Sequence, residues 1–140
     1  MKDENCIFCK LANGDIPTNS VYEDEYLRAI MDASPANKGH IIILPKSHAA
    51  NIFELEDIYV EKAFVLAKKI AVALKKQLDC DGVNILQNNE EAAGQTVFHF
   101  HVHVIPRYKQ DNCKLTWTPG KYEEGEAAKL AGEISALICS

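Results

Sequence analysis

Three of the chain's five histidines fall at alternate positions in one run, Phe98-His99-Phe100-His101-Val102-His103-Val104-Ile105-Pro106. The residues between them are aromatic or β-branched, a strand pattern of period 2. Successive side chains on a strand point to opposite faces, which puts His99, His101 and His103 on one face and Phe98, Phe100, Val102 and Val104 on the other, the core face. Three imidazoles in a row pack poorly, so the row points to chemistry, and three readings are open. The histidines could be ordinary residues without a function, which period-2 placement in an apolar strand makes hard to obtain by chance. They could hold a metal, although neighbours on one strand face lie roughly 6.5–7 Å apart and zinc wants its nitrogens at about 2.0–2.1 Å. Or one imidazole attacks phosphorus while its neighbours or the backbone fix its tautomer.

A second cluster stands near the start of the chain. Cys6-x-x-Cys9 is compatible with two buried thiols, a redox dithiol or half of a zinc site. A redox pair belongs beside a βαβ pattern, which is missing here. A closed zinc site needs four ligands, and His48 and His99 are candidates for the other two.

The elements that must position these groups are short strands and one long helix. Val21–Glu23 and Tyr26–Met31 read as strands around an acidic turn, and residues 32–39 as a loop. His40-Ile41-Ile42-Ile43-Leu44 reads as a strand ended by Pro45. A helix spans about 57–78, with Phe64, Ala67, Ala71, Leu74 and Leu78 as its apolar row and lysines outside it. Val83–Gln87 is a strand, the polar loop 88–95 leads into the histidine run, and a last helix covers about 122–138, weakened by Gly125 and Gly132. This order predicts one α+β domain, residues 1–140, with a mainly antiparallel sheet.

Bulk properties narrow the partners. The 140-residue chain is 47% hydrophobic and carries a net charge of -5, which argues against nucleic acid as a partner. Helix ends and backbone N–H groups can still bind a phosphate. The polar opening residues and the lack of about 18 consecutive apolar residues predict neither a signal peptide nor a membrane span. Five cysteines without a disulfide-like spacing fit the cytoplasm.

His99-Phe100-His101-Val102-His103-Val104-Ile105 has the form His-φ-His-φ-His-φ-φ, where φ is hydrophobic. It resembles the signature of the histidine-triad (HIT) nucleotide-binding proteins. Gly94-Gln95-Thr96-Val97 resembles the segment preceding that signature. Cys6-Ile7-Phe8-Cys9-Lys10 resembles the start of the zinc-binding bacterial members. Val21–Glu25, Asp32, Lys38-Gly39-His40 and Leu44–His48 follow in the family's order, so the resemblance covers roughly residues 5–108.

The resemblance implies a HIT-like fold, a homodimer, and a purine nucleotide or nucleotide conjugate bound with its α-phosphate at the triad. It makes His101 the nucleophile, forming a nucleotidyl-histidine that water hydrolyses. It makes His103 the partner for phosphate contact and proton transfer, and His40 a supporting residue. Asp32 then meets the ribose hydroxyls. Asn88, Gly94, Gln95, Thr96 and Val97 surround the phosphate, and Phe8, Leu11 and Ile30 line the base pocket. Cys6, Cys9, His48 and His99 become the ligands of a structural zinc. Nucleoside phosphoramidates and dinucleoside polyphosphates both suit the triad; the short chain and the cysteine pair favour the phosphoramidase branch. A nucleotide-binding regulator with incidental hydrolysis would use the same residues. Residues 108–122, with Trp117, read as a surface loop, with reach toward a partner subunit's site as the alternative.

Overall fold

A computed structural model describes residues 1–140. Its elements are α1 (Ile7–Ala12), β1 (Ser20–Glu23), β2 (Leu27–Met31), β3 (Ile41–Pro45), α2 (Asp57–Leu78), β4 (Gly82–Leu86), β5 (Val102–Arg107) and α3 (Glu126–Ile138). The strands form one sheet in the order β1-β2-β3-β5-β4, antiparallel at every pairing. The expected α+β class and antiparallel sheet are what the chain forms.

The two faces of this sheet are covered unequally. β3 lies between β2 and β5 and is buried along its whole length, which is why it reads as a continuous apolar run. Its side chains sort by pleat. Ile41 and Ile43 join Phe100, Val102 and Val104 under Leu66, Ala67, Ile70 and Leu74 of α2. Ile42 and Leu44 join Ile30 and Ala12 on the opposite face, with Phe8 and Leu11 of α1. The 22-residue α2 spans its face, whereas α1 has six residues and cannot cover a five-stranded sheet. The uncovered part of the α1 face is where a cavity forms.

Several expectations are corrected. Phe98 is 52% exposed, not core, because β5 begins only at Val102. Residues 98–101 are irregular and are tied to the neighbouring loop by Phe100 N–H donating to Ala49 O at 2.8 Å. On α2, Phe64 is exposed and the buried row is Ala63, Leu66, Ala67, Ile70 and Leu74. The stripe is rotated toward the face that meets the sheet. Residues 7–12, given no element from sequence, form α1, capped by the Cys6 sulfur accepting Cys9 N–H. The last helix begins at Glu126, after Gly125 in the left-handed region, rather than near Tyr122.

Gly39 turns the chain into β3 at φ +99, where a Cβ would stand 2.5 Å from Leu78 Cδ1 and 3.2 Å from Pro106 Cγ. Gly39→Ala is expected to cost about 2–3 kcal/mol through overpacking and a disfavoured φ. A urea midpoint unchanged from wild type would contradict that packing.

Candidate active site and metal centre

Strand pairing sets the site. His103 on β5 lies opposite Ile42 on β3, on the face under α1. His101 packs edge-on to Phe8 of α1, with ring centroids 4.9 Å apart, and the His101 and His103 rings also lie 4.9 Å apart. Between them opens a cavity of about 320 Å³ whose walls include Phe8, Leu11, Ile30, Asp32, Thr96, Val97, His101 and His103. It is apolar at the α1 end and polar at the triad end, the make-up of a small-ligand site. Eight sequence-predicted residues therefore share one cavity.

The hydrogen bonds fix the protons on each imidazole. His101 Nδ1 sits 2.7 Å from His99 O. A carbonyl only accepts, so the proton is on Nδ1 and the lone pair of Nε2 is free. His40 Nδ1 accepts Ala36 N–H at 3.0 Å, so neutral His40 carries its proton on Nε2. That N–H donates to His103 Nδ1 at 2.9 Å, which leaves His103 with an Nε2–H donor. The chain Ala36→His40→His103 thus presents a donor next to the free lone pair of His101. Burial lowers all three pKa values, that of His103 to about 4, so these neutral tautomers persist at neutral pH.

Asp32 is held by Ser34 N–H donating to one carboxylate oxygen at 2.8 Å, with the other 3.5 Å from His40 Nε2. Asp32, His40 and His103 are close enough to hold a metal ion. A metal would have to displace the Nε2 proton of His40 or break the Ala36 bond, so the hydrogen-bond pattern suits shared protons better than a cation. His40 stands behind His103, outside the cavity wall.

Three expected phosphate contacts lie elsewhere. Gln95 is buried. Its Oε1 accepts Glu90 N–H, and its Nε2 donates to Ala50 O at 2.5 Å and Val97 O at 3.1 Å. With both N–H donors engaged, Gln95 braces two loops and has none for phosphate. A Cβ at Gly94 would stand 3.4 Å from Asn88 Nδ2, and neither residue lines the cavity. Sequence reasoning missed Pro17, Thr18, Met31, Ala33, Ser34 and Ile42 as wall residues. Only Ser34, two residues after Asp32, carried a local signal, that of an Asx turn.

His99 belongs to a different cluster. Its Nδ1 lies 3.5 Å from Cys6 Sγ, 3.4 Å from Cys9 Sγ and 3.3 Å from His48 Nδ1, and Cys9 Sγ is 3.4 Å from His48 Nδ1. Tetrahedral zinc with Zn–N of about 2.05 Å and Zn–S of about 2.3 Å has N···N and N···S edges of roughly 3.3–3.6 Å, which these four distances match, and all four ligand atoms lie within 4.8 Å of one another, so the cluster could hold the ion. Backbone N–H groups of Asp3 and Cys9 point at the sulfurs of Cys9 and Cys6, a polarity that suits thiolates. His99 Nε2 sits 2.9 Å from Pro45 O, so it carries the proton and leaves Nδ1 as the ligand atom. The three histidines do not converge on one ion, which removes the reading of the row as a single metal site.

Burial lowers the pKa of His99 to about 4. A folded-state value below the unfolded 6.5 means that the unfolded chain binds protons first as pH falls. In metal-free protein the histidine contribution to stability is expected to be constant above about pH 7. Between pH 6.5 and 5 it should lose about 1.4 kcal/mol per pH unit for each such histidine at most. Denaturant midpoints across this window check it, and a flat profile would contradict neutral burial.

A family model described as HIT domain matches residues 13–110. The chain is 47% identical over 140 residues to a Bacillus subtilis protein named hit, covering 98% of this chain and 97% of that one. It is 35% identical to an adenosine 5'-monophosphoramidase of Saccharomyces cerevisiae (97% and 84% covered) and 37% identical to an adenylylsulfatase of Arabidopsis thaliana (97% and 71%). Its fold superposes on a HIT family crystal structure from Bacillus subtilis with TM-score 0.88, 40% identity and 95% and 96% coverage. It also superposes on a zinc-bound histidine triad protein from Mycobacterium smegmatis with TM-score 0.75, 36% identity and 94% and 97% coverage. With the triad, the cavity and these matches together, this chain belongs to the HIT family.

Proposed function

We propose that the protein hydrolyses purine nucleoside phosphoramidates at the α-phosphorus through a covalent intermediate on His101. The observation that carries this reading is the His101 Nδ1–H bond to His99 O, which leaves an imidazole lone pair beside a cavity sized for a small ligand. His101 Nε2 attacks phosphorus, and the bond from phosphorus to the amine nitrogen breaks. His103 Nε2–H holds the departing nitrogen by a hydrogen bond while that nitrogen takes a proton from a water molecule and leaves as a neutral amine. The hydroxide so formed attacks the phosphorus, the P–Nε2 bond breaks, and His101 returns to its neutral form. Asp32 accepts from the ribose hydroxyls, Phe8, Leu11 and Ile30 hold the base, and Thr96 and Val97 flank the phosphate. Asn88, Gly94 and Gln95 shape the loop that presents Thr96 and Val97.

Two relatives named for a phosphoramidase and an adenylylsulfatase support hydrolysis at an adenosine 5'-phosphate derivative. The cavity volume, at the small end of the usual range of about 300–1,000 Å³, favours one nucleotide with the leaving group outside over a dinucleoside polyphosphate. In this reading the protein works in the cytoplasm as a homodimer. Zinc on Cys6, Cys9, His48 and His99 supplies a rigid corner joining the N-terminal segment to the triad.

His101→Gly is expected to lose roughly 10³-fold or more in turnover of an AMP-amine while still binding AMP. A panel with GMP-amine and diadenosine polyphosphate checks the substrate class, and faster cleavage of the polyphosphate would overturn it. Burial of His101 puts the acid limb of kcat/KM below pH 6.5. Cys9→Ser should lose bound zinc by elemental analysis and lower the melting temperature by several degrees. Retention of one zinc per chain in that variant would exclude the assigned ligand set.

A further inference from the structure

A knot of side chains lies outside the cavity, at the far end of β5. Its centre is Asp111, whose side chain is 6% exposed. The carboxylate accepts from Arg107 Nε at 2.8 Å and Nη2 at 2.9 Å, from the Tyr108 and Cys113 N–H groups at 2.9 and 3.2 Å, and from Asn37 Nδ2 at 2.8 Å. Arg107 is anchored in turn to Asn84 Oδ1 of β4 at 2.7 Å. The guanidinium of Arg107 holds the Asp111 carboxyl well below the usual carboxylate range, so the group acts only as an acceptor.

Asn37 is the one member of the knot that comes from the loop between β2 and β3. Its amide also donates to Pro106 O at 3.0 Å, so both of its N–H groups end on acceptors fixed at the end of β5. That loop has little packing of its own, since residues 33–36 are exposed. Yet it carries Ala36 N–H, the donor that sets the proton on His40, and Asn37 O accepts His40 N–H at 3.1 Å. The knot thus ties the loop that governs His40 to the strand that carries His103.

The proton pattern of the two rings has a reversed form. In the form described above, His40 Nε2–H donates to His103 Nδ1 and His103 keeps its proton on Nε2. Reversed, His103 Nδ1–H donates to His40 Nε2, and His40 carries its own proton on Nδ1. Each ring still holds one proton and the contact between them still holds one hydrogen. His103 Nε2 would then be a bare lone pair, unable to donate to a departing nitrogen. Ala36 N–H forbids this form, because it would meet an N–H at His40 Nδ1 instead of an acceptor. Asp32 Oδ2, at 3.5 Å from His40 Nε2, favours the same form from a longer distance.

We propose that Asn37 is a positioning residue: clamped by Asp111 and Pro106, it holds Ala36 N–H on His40 and so keeps His103 Nε2 a donor. The clamp rests on the reading of His103 as the group that holds the departing nitrogen.

Full-length, zinc-loaded protein with nitrogen-15-labelled histidine tests it. Ring nitrogens with and without a proton give well-separated nitrogen shifts. In the wild-type chain, His40 and His103 are expected to be protonated at Nε2 alone. In Asn37→Ala both rings should show averaged Nδ1 and Nε2 shifts, because the reversed form becomes populated. Asn37→Asp has the same shape but sets acceptors against Pro106 O and Asp111, and should move the shifts further. Turnover gives a second readout. In Asn37→Ala, kcat for an AMP-amine should fall about tenfold, as for one lost hydrogen bond, with KM within about twofold. A nitrophenyl ester of AMP, whose leaving group departs as an anion and needs no donor, should lose less than about twofold. Equal effects on the two substrates, or a raised KM with unchanged kcat, would mean that the loop acts through Asp32 or the fold, and would overturn the clamp. Single-tautomer spectra in both variants would overturn it as well. The spectra need no substrate. If the wild-type chain leaves the AMP-amine intact, the hydrolase reading falls, and the spectra alone uphold or overturn the clamp.

Discussion

The 2.7 Å hydrogen bond from His101 Nδ1–H to the backbone oxygen of His99 is the contact on which the site depends. A free imidazole exchanges its proton between two nitrogens, and only one tautomer has its lone pair where a phosphorus could be. A carbonyl accepts and cannot donate, so this bond selects the tautomer without adding charge. It also requires that residue 99 be held still. His99 is fully buried, bonded to Pro45 O through one nitrogen and set among Cys6, Cys9 and His48 through the other. The residue whose carbonyl orients His101 is thus fixed by its own ring.

The same logic runs through the second pair of histidines. Ala36 N–H can only donate, so it dictates the proton position on His40, and His40 in turn dictates that on His103. A backbone carbonyl sets the acceptor and a backbone amide sets the donor. Burial then keeps both rings neutral, since desolvation penalises the imidazolium. Asp32 offsets that penalty in part at His40 and His101, which keeps these rings in reach of a proton during a reaction.

The unequal cover of the sheet explains why the chemistry sits where it does. Every apolar residue of β5 that points toward α2 is used in packing, whereas the other face meets only a six-residue helix. Polar side chains there have room for a ligand and lose little packing. The Cys6, Cys9, His48 and His99 cluster and the Met1 carbonyl accepting His48 N–H at 2.7 Å tie the short N-terminal segment down. A segment of that size has too little core to hold itself.

The sequence by itself determined much of this. The alternation from Phe100 to Val104 put the histidines opposite the core, the apolar run at 41–44 marked the central strand, and the resemblance to the HIT signature grouped Cys6, Cys9, His48 and His99, and Asp32 with the triad. These are local or pattern properties, readable because strand period and ligand chemistry are fixed. Tertiary structure decided what depends on distant backbone. The Phe100 N–H bond to Ala49 that holds residues 98–101 outside β5, the two carbonyls and one amide that assign the imidazole protons, and the engagement of Gln95 with Ala50 and Val97 come from contacts whose partners no residue pattern specifies. The rotation of the α2 stripe away from Phe64 and the outward course of α3 are likewise set by which neighbours are present to bury an apolar face, not by the periodicity that creates one.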